Sequence, residues 1–205
     1  MGVKIKARTV GMIGTNCYLV WDESSREAML IDPGDYEPGI ERDIIDEGLD
    51  LKYIFLTHGH YDHIEGVTGF AQSFPEAVLA AHEGDLSIMK GLEPGRFLKD
   101  GEALALGSLS FLVFETPGHT RGGLSLYIRE TDGGLTGGGF SGTLFSGDTL
   151  FRMSVGRTDL DGGDFDILRS SIREKLFELP DDTLVLPGHM DATTIGDEKK
   201  YNRFV

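Results

Sequence analysis

The sequence predicts a single layered domain of mixed strands and helices, of the α/β or α+β class. Two observations indicate this class: strand-length apolar stretches recur along the 205-residue chain, and amphipathic helical stripes fill several gaps between them. There is no repeat of fixed period, no low-complexity linker and no sharp change in composition, and the length suits one sizeable domain better than two. We therefore treat residues 1–205 as one domain.

The predicted strands have the length and the apolar, β-branched or aromatic composition that are typical of buried strands. At the N-terminus, residues 1–10 alternate basic and apolar side chains. Eight further stretches follow at 17–21, 28–31, 53–56, 78–81, 109–114, 124–128, 143–145 and 183–186.

Helices are predicted where apolar residues recur at helical spacing. Pro38 suits the first turn of the first helix and Gly48 its exit, while Asp164 suits the N-cap of the second helix and Pro180 its end. A third, weaker stripe is interrupted by glycines. The three apolar faces consist of Ile40, Ile44 and Ile45; of Phe165, Leu168, Ile172 and Leu176; and of Ile64, Val67, Phe70 and Phe74.

The composition limits the classes of partner. Thirty-four acidic residues against 19 basic ones give a formal net charge of −15, which would repel nucleic-acid phosphates. Cys17 is the only cysteine and is expected to be a buried strand residue, so no intrachain disulfide can form. We expect no signal peptide, because residues 1–10 lack its long apolar core, and no membrane span, because no apolar run is long enough. It therefore predicts a cytoplasmic protein without nucleic-acid or membrane partners, and it leaves the oligomeric state open.

The segment 57–63, Thr-His-Gly-His-Tyr-Asp-His, places four metal-capable side chains directly after a predicted strand. His58 and His60 are two residues apart, so in extended backbone their imidazoles project to the same side. Asp62 and His63 follow where the chain turns, and they can face a neighbouring point. One segment could thus serve two metal ions.

Three more candidates, His119, Asp148 and His189, also lie just past the ends of predicted strands. Strands that deliver ligands from their C-terminal ends to one edge are how a layered α/β protein builds a site in a crevice. Five of the six histidines occupy such positions, and the sixth, His82, is expected to be hydrogen-bonded or solvated. Imidazoles together with carboxylates are the ligands expected for zinc or iron.

Seven ligands are too many for one tetrahedral ion and suit two ions that share one carboxylate, for which Asp148 is the natural bridge. Two divalent ions can hold a hydroxide between them, lower its pKa towards about 7 and polarise the bond that it attacks. We expect Asp62 and Asp148 to be the catalytic carboxylates of such a site. The sequence therefore predicts a metal-dependent hydrolase without a serine or cysteine nucleophile.

The pattern Thr-His-x-His-x-Asp-His, with later ligands at His119, Asp148 and His189, resembles the metallo-β-lactamase superfamily. The similarity begins at residues 16–20 and 31–34 and covers nearly the whole chain. It implies a four-layer αββα sandwich that binds two divalent metal ions. Zinc is the expected metal, and iron and manganese are the alternatives. The resemblance implies that the first metal is held by His58, His60 and His119, the second by Asp62, His63 and His189, and both by Asp148.

Within that superfamily, residues 116–120 and 147–151 are most similar to the type 2 glyoxalases, which are hydroxyacylglutathione hydrolases. The resemblance implies a small-molecule thioester substrate, attacked by hydroxide and releasing a thiolate while the metals stabilise the oxyanion. It also places Arg157, and less directly Arg152, as substrate-binding residues that could fork onto a carboxylate.

Two departures from the glyoxalase pattern stand out. Only 16 residues follow His189, so we expect no C-terminal helical substrate domain, and residues 193–199 resemble the short single-domain relatives. Met190 stands where these relatives usually carry glycine.

Other functions share these motifs. A persulfide dioxygenase would use one iron held by His58, His119 and Asp148, and such enzymes share the Gly-Arg-Thr-Asp of residues 156–159. A lactone or other ester hydrolase, a phosphodiesterase and a non-catalytic module with structural metals are further alternatives. The pattern Gly-x-Gly-x-x-Gly at residues 137–142 is that of a dinucleotide-binding loop, but it precedes a predicted strand and not a helix. We therefore interpret the glycine-rich stretch 133–142 as a connection between two predicted strands, 124–128 and 143–145.

Overall fold

The computed structural model describes residues 2–129 and 139–205, and within them most strands belong to two large sheets. The first sheet contains, in spatial order, β1 (Val3–Val10), β2 (Thr15–Asp22), β3 (Glu27–Ile31), β4 (Asp50–Phe55), β5 (Val78–Ala81) and β6 (Arg96–Phe97). Its first three strands are antiparallel and β3 to β6 are parallel. Most of the glycine-rich stretch 133–142, including the start of its G-x-G-x-x-G letters, lies outside the described residues.

The second sheet is also mixed. It contains β7 (Ala103–Leu106), β8 (Leu109–Glu115), β9 (Leu124–Arg129) and β10 (Gly142–Gly147), which are antiparallel neighbours. A small hairpin of β11 (Leu150–Phe151) and β12 (Ser154–Val155) follows β10. On the other side of β10, β13 (Leu184–Pro187) pairs in parallel and β14 (Thr193–Thr194) completes the sheet.

The helices cover the outer faces of the two sheets. They are α1 (Pro38–Asp46), α2 (Tyr61–Ile64), α3 (Val67–Ser73), α4 (Phe165–Glu174) and α5 (Ile195–Tyr201). Alternate residues of β3 face opposite ways: Met29 packs in the core between the sheets, whereas Leu30 packs in the core beneath α1 and α3. On the far side, α4 and α5 pack on the second sheet in a third apolar cluster. This is the predicted αββα sandwich.

The predicted strands and helices are largely confirmed, with two differences on the helix faces. Ile40 and Ile44 are buried as expected, but Ile45 is 62% exposed because it points away from the first sheet. Asp164 caps α4 by accepting the N–H of Ile167, as predicted, whereas Phe165 at the start of that stripe is exposed.

The third apolar stripe forms two short helices rather than one. The break between α2 and α3 falls at Gly66, where an added Cβ would collide with the backbone of Asp35. None of the helices in the described part of the chain has the length and apolar character needed to cross a lipid bilayer.

Candidate metal centre

The seven predicted ligands meet at one edge of the sandwich, where strands of both sheets end. His58 and His60 follow β4, and Asp62 and His63 lie on α2 immediately afterwards. The loops after β8, β10 and β13 bring in the other three side chains, which are His119, Asp148 and His189. Because each ligand follows the C-terminal end of a strand, the sheet order brings together residues more than 100 positions apart.

A first group consists of His58, His60 and His119, whose ligand atoms all lie within 4.8 Å of one another. The Nδ1 of His60 is 2.9 Å from the Nε2 of His119. His58 is buried, and its Nε2 has no hydrogen-bond partner among the residues that the structure describes. A buried imidazole nitrogen costs free energy when it is left unpaired, so this atom is placed for a ligand.

A second group consists of Asp62, His63 and His189, also within 4.8 Å. The Nε2 atoms of His63 and His189 are 3.3 Å apart. The Oδ2 of Asp62 is 3.2 Å from the Nε2 of His189 and 3.6 Å from that of His63. Three donor atoms therefore converge here as they do in the first group.

Asp148 lies between the two groups. Its Oδ1 is 3.4 Å from the Nε2 of His63, while its Oδ2 is 3.6 Å from the Nε2 of both His119 and His189. In the described part of the chain, the buried Oδ1 accepts no hydrogen bond. One carboxylate thus faces both groups.

Hydrogen bonds on the far side of the rings orient the imidazoles. The Nδ1 of His119 is 2.7 Å from the carbonyl oxygen of Arg157, and the Nδ1 of His63 is 3.0 Å from Oδ2 of Asp32. Thr57 donates its hydroxyl to Asp32 at 2.6 Å and lies 3.1 Å from the Nδ1 of His58. These contacts leave the Nε2 atoms of the three rings directed into the site, which is how outer partners orient metal-binding histidines.

The electrostatics of the two groups differ. Burial, followed by the charges of the neighbouring imidazoles, holds the pKa of His58 well below its usual value, and burial also lowers the pKa of His60. In the second group burial lowers the pKa of His63, but the carboxylates of Asp148 and Asp32 outweigh it and raise that pKa to about 10. Burial raises the pKa of Asp62, yet the hydrogen bond from His189 brings it to about 2. Near neutral pH the imidazoles of His58 and His60 are therefore neutral, as metal binding requires, whereas a cation in the second group would displace the proton of His63. Imidazoles together with ionised carboxylates form a donor set that fits divalent cations.

The two arginines predicted to bind substrate are both exposed and paired. Arg157 donates from Nε and Nη2 to the carboxylate of Asp159 at 2.7 and 2.8 Å. Arg152 is 3.3 Å from a carboxylate oxygen of Asp191. A substrate carboxylate would therefore have to replace an aspartate on either guanidinium.

The expectations for the two remaining residues are confirmed. His82 accepts the N–H of Gly84 at its Nδ1, and its Nε2 is 3.3 Å from a carboxylate oxygen of Glu115. Cys17 is buried in β2, and burial raises the pKa of its thiol well above the usual value.

Sequence reasoning missed the residues that orient the ligands, above all Asp32. This buried carboxylate accepts the N–H and the hydroxyl of Thr57 as well as facing His63. A signal was present, because Asp32 directly follows β3 and so shares the placement of the ligands past a strand end. Asp32 has a φ of +50°, a left-handed conformation that aspartate tolerates better than most residues.

The chain is similar to several known proteins. The sequence profile of the metallo-beta-lactamase superfamily matches residues 10–189. The chain is 34% identical to the hydroxyacylglutathione hydrolase GloC of Haemophilus influenzae, covering 93% of this chain and 92% of that protein. It is 32% identical to the human mitochondrial persulfide dioxygenase ETHE1, covering 92% of this chain and 70% of that protein.

A solved structure, that of TTHA1623 in a di-iron-bound form, superposes with a TM-score of 0.80 at 34% identity, and the match covers 98% of this chain and 100% of that one. The profile match spans most of the chain and includes all seven residues of the site. This chain therefore belongs to the metallo-beta-lactamase superfamily.

Proposed function

We propose that this protein is a binuclear metal-dependent hydrolase that cleaves acyl-thioesters. The observation that carries the proposal is the position of Asp148, whose carboxylate oxygens lie within 3.6 Å of His119 in the first group and of His63 and His189 in the second. A single closed structural site would need only four protein ligands, whereas seven donors suffice for two ions with solvent completing each coordination shell. The proposed ligands are His58, His60 and His119 for one ion, Asp62, His63 and His189 for the other, and Asp148 for both.

The chain's own residues supply a rigid and charged setting for this chemistry. When bound, a pair of divalent cations supplies an ionised water near neutral pH and polarises the carbonyl group under attack. Asp62 and Asp148 carry the negative charge that two cations require, and both are mostly shielded from solvent. Arg157 and Asp32 hold the rings of His119 and His63 in place through their far nitrogens. We propose zinc as the metal, with iron or manganese as alternatives.

The chemistry of the leaving group, the similarity to a relative and the net charge of the chain together support a small-molecule thioester as the substrate class. A thiolate is a good leaving group, since a thiol has a pKa near 8.5, so the site needs no dedicated proton donor. The similarity to the hydroxyacylglutathione hydrolase of Haemophilus influenzae extends over nearly the full length of both proteins. The net charge of −15 disfavours polyanionic substrates such as nucleic acids. With its single buried Cys17, the protein suits a reducing cytoplasm.

The test combines metal analysis with two assays on the same purified protein. We expect about two equivalents of metal, hydrolysis of S-lactoylglutathione in the absence of oxygen, and loss of that hydrolysis after chelation. Oxygen uptake with glutathione persulfide is measured in parallel. One equivalent of iron with sulfur-dependent oxygen uptake would replace the hydrolase by a persulfide dioxygenase, the activity named for the human relative. Hydrolysis of lactones but not of thioesters would keep the mechanism and change the substrate.

The proposed substrate contact at Arg157 has a matched control in Arg169 on α4, because both guanidiniums are exposed and paired with an aspartate. Arg157→Gln is expected to raise KM for a carboxylate-bearing thioester about tenfold with little change in kcat, since it removes a charge-assisted bond present in both ground and transition states. Arg169→Gln should leave KM within about twofold of the parent, and Arg152→Gln, at the weaker of the two predicted contacts, should raise KM less than Arg157→Gln does. Unchanged KM in Arg157→Gln would remove this residue from the substrate site.

A further inference from the structure

Asp85 is a buried carboxylate that belongs to neither ligand group. It lies at the end of a short 3-10 helix, Glu83–Asp85, shortly after β5, and is only 2% exposed. Its Oδ2 accepts the N–H of Gly59 at 2.9 Å and the hydroxyl of Thr120 at 2.8 Å. Its Oδ1 accepts the N–H of Gly122 at 2.7 Å. Three donors thus satisfy one buried carboxylate.

These donors lie on the two segments that carry the first ligand group. Gly59 stands between His58 and His60 in the chain, and Thr120 directly follows His119. Asp85 therefore ties the loop after β4, in the first sheet, to the loop after β8, in the second sheet. The carboxylate fixes the spacing of the segments on which all three imidazoles of this group stand.

The packing around Asp85 requires glycine at both contact points. A Cβ added at Gly122 would lie 2.8 Å from the Cγ of Asp85, and one at Gly59 would lie 2.7 Å from the Cγ of Met89 and 3.1 Å from the Cβ of Asp85. Real Cβ atoms essentially never approach other atoms as closely as the shortest of these distances. The backbone amides can reach the carboxylate only because both positions lack a side chain.

The second ligand group is held differently. The Nδ1 of His63 is hydrogen-bonded to Asp32, and Asn16 donates to the carbonyl oxygens of Pro187 and Met190 on either side of His189. Within the described part of the chain, the Asp85 carboxylate accepts hydrogen bonds from Gly59, Thr120 and Gly122 and from none of these residues. A change at Asp85 should consequently act on one half of the metal centre.

We propose that Asp85 is a positioning residue that sets the geometry of His58, His60 and His119, and thereby the affinity of this half-site for a divalent cation. The inference rests on the proposed binuclear function. Asp85→Asn retains the shape of the side chain but replaces one acceptor oxygen by an NH₂ group, which leaves a buried donor facing a donor. Loss of such an outer partner typically lowers metal affinity by roughly 10- to 100-fold.

The experiment measures zinc affinity of the metal-free full-length protein by competition with a chromophoric chelator. Two single-site backgrounds separate the half-sites: His189→Ala keeps the first group intact and His119→Ala keeps the second. We expect Asp85→Asn to weaken zinc binding about 10- to 100-fold in the first background and less than about threefold in the second. Equal weakening in both backgrounds, or none in the first, would overturn the proposal.

Asp22→Asn is the matched control, because Asp22 is an equally buried carboxylate with comparable hydrogen bonds. It lies at the C-terminal end of β2, beside Ser108 and away from the ligand groups. Asp22→Asn should leave both zinc affinities within about threefold of the parent, which separates positioning from general destabilisation. Should Asp85→Asn fail to fold, Thr120→Val removes one of the three donors, and it must weaken the first half-site about threefold to tenfold.

The experiment distinguishes failure of the proposed function from failure of the positioning role. A wild-type protein that binds none of zinc, iron and manganese refutes the proposed function. If the wild-type protein binds two equivalents of zinc and Asp85→Asn has the same zinc affinities as Asp22→Asn, only the positioning role is refuted.

Discussion

The lowered pKa of Asp22 predicts how the free energy of unfolding of this protein depends on pH. The carboxylate lies at the end of β2, is fully buried, and accepts the N–H of Ser24 at 2.8 Å. It also accepts the N–H and the hydroxyl of Ser108, at 2.7 and 2.8 Å, from the turn between β7 and β8 in the other sheet. Burial raises the pKa of Asp22, but these hydrogen bonds outweigh it and lower the pKa from its usual 3.8 to about 2.

This lowering corresponds to a stabilisation of up to about 2 kcal/mol when Asp22 is ionised. Because the pKa of the folded state lies below that of the unfolded state, the contribution is complete above the usual pKa of 3.8 and is lost as the pH falls towards about 2. Asp22→Asn should therefore lower the free energy of unfolding by about 2 kcal/mol near neutral pH, and the deficit should shrink below about pH 4.

The assay is urea unfolding of the metal-free proteins, in excess chelator, at a series of pH values from about 7 down to about 2. Asp46→Asn is a suitable control, because Asp46 is exposed at the end of α1 and should change stability by less than about 0.5 kcal/mol. If the loss of unfolding free energy in Asp22→Asn is the same at neutral and acid pH, or smaller than that in Asp46→Asn, ionised Asp22 does not stabilise the fold as described.

Three other substitutions test the site and the backbone around it. Asp148→Ala removes the carboxylate that faces both ligand groups, so elemental analysis should find less than about half an equivalent of metal, and retention of two equivalents would exclude bridging. Met190 has a φ of +67°, so Met190→Gly should stabilise the protein by about 1 kcal/mol in thermal unfolding, and a lower Tm would contradict this. Gly118 has a φ of +128°, and an added Cβ would collide with the backbone of Leu168. Gly118→Ala should therefore lower the free energy of unfolding in urea by about 3 kcal/mol, and a decrease of less than about 1 kcal/mol would contradict this.

Most of the strands were predictable because they are apolar runs, whereas their arrangement as an αββα sandwich was implied only by the family resemblance. In β2 and β10 nearly every side chain is buried, so the hydrophobic pattern alone marks them. The two-residue strands β6, β11, β12 and β14 have no such pattern, since their pairing depends on neighbours brought close by the fold. The short helix α5 was missed for a similar reason, because its stability comes from packing of Ile195 and capping by Thr194 rather than from an apolar stripe.

The metal-capable side chains were predictable from placement. Each follows a strand end, and parallel strands bring such positions to one edge of a sheet. The grouping of His58 with His119, and of His63 with His189, came only from the family resemblance, because spacing along the chain does not say which loops are neighbours across the two sheets. The structure brings these pairs together, and their roles as ligands stay a prediction.

The roles of the outer carboxylates could not be predicted, although Asp32 directly follows β3 and so shares the placement of the predicted ligands. Asp32 and Asp85 each act on backbone or side-chain donors at least 25 positions away, and a single aspartate after a strand or in a turn has no local pattern that distinguishes it from a solvated one. The same holds for Asp22 and its contact with Ser108. Such residues are recognised only once burial and hydrogen-bond partners are known.

The location of bound zinc tests the central claim most directly. Crystals of the zinc-loaded protein, measured on both sides of the zinc absorption edge, should show two anomalous peaks, with Asp148 between them. One peak should lie among His58, His60 and His119 and the other among Asp62, His63 and His189. A single peak at full zinc occupancy, or peaks away from these side chains, would contradict the account.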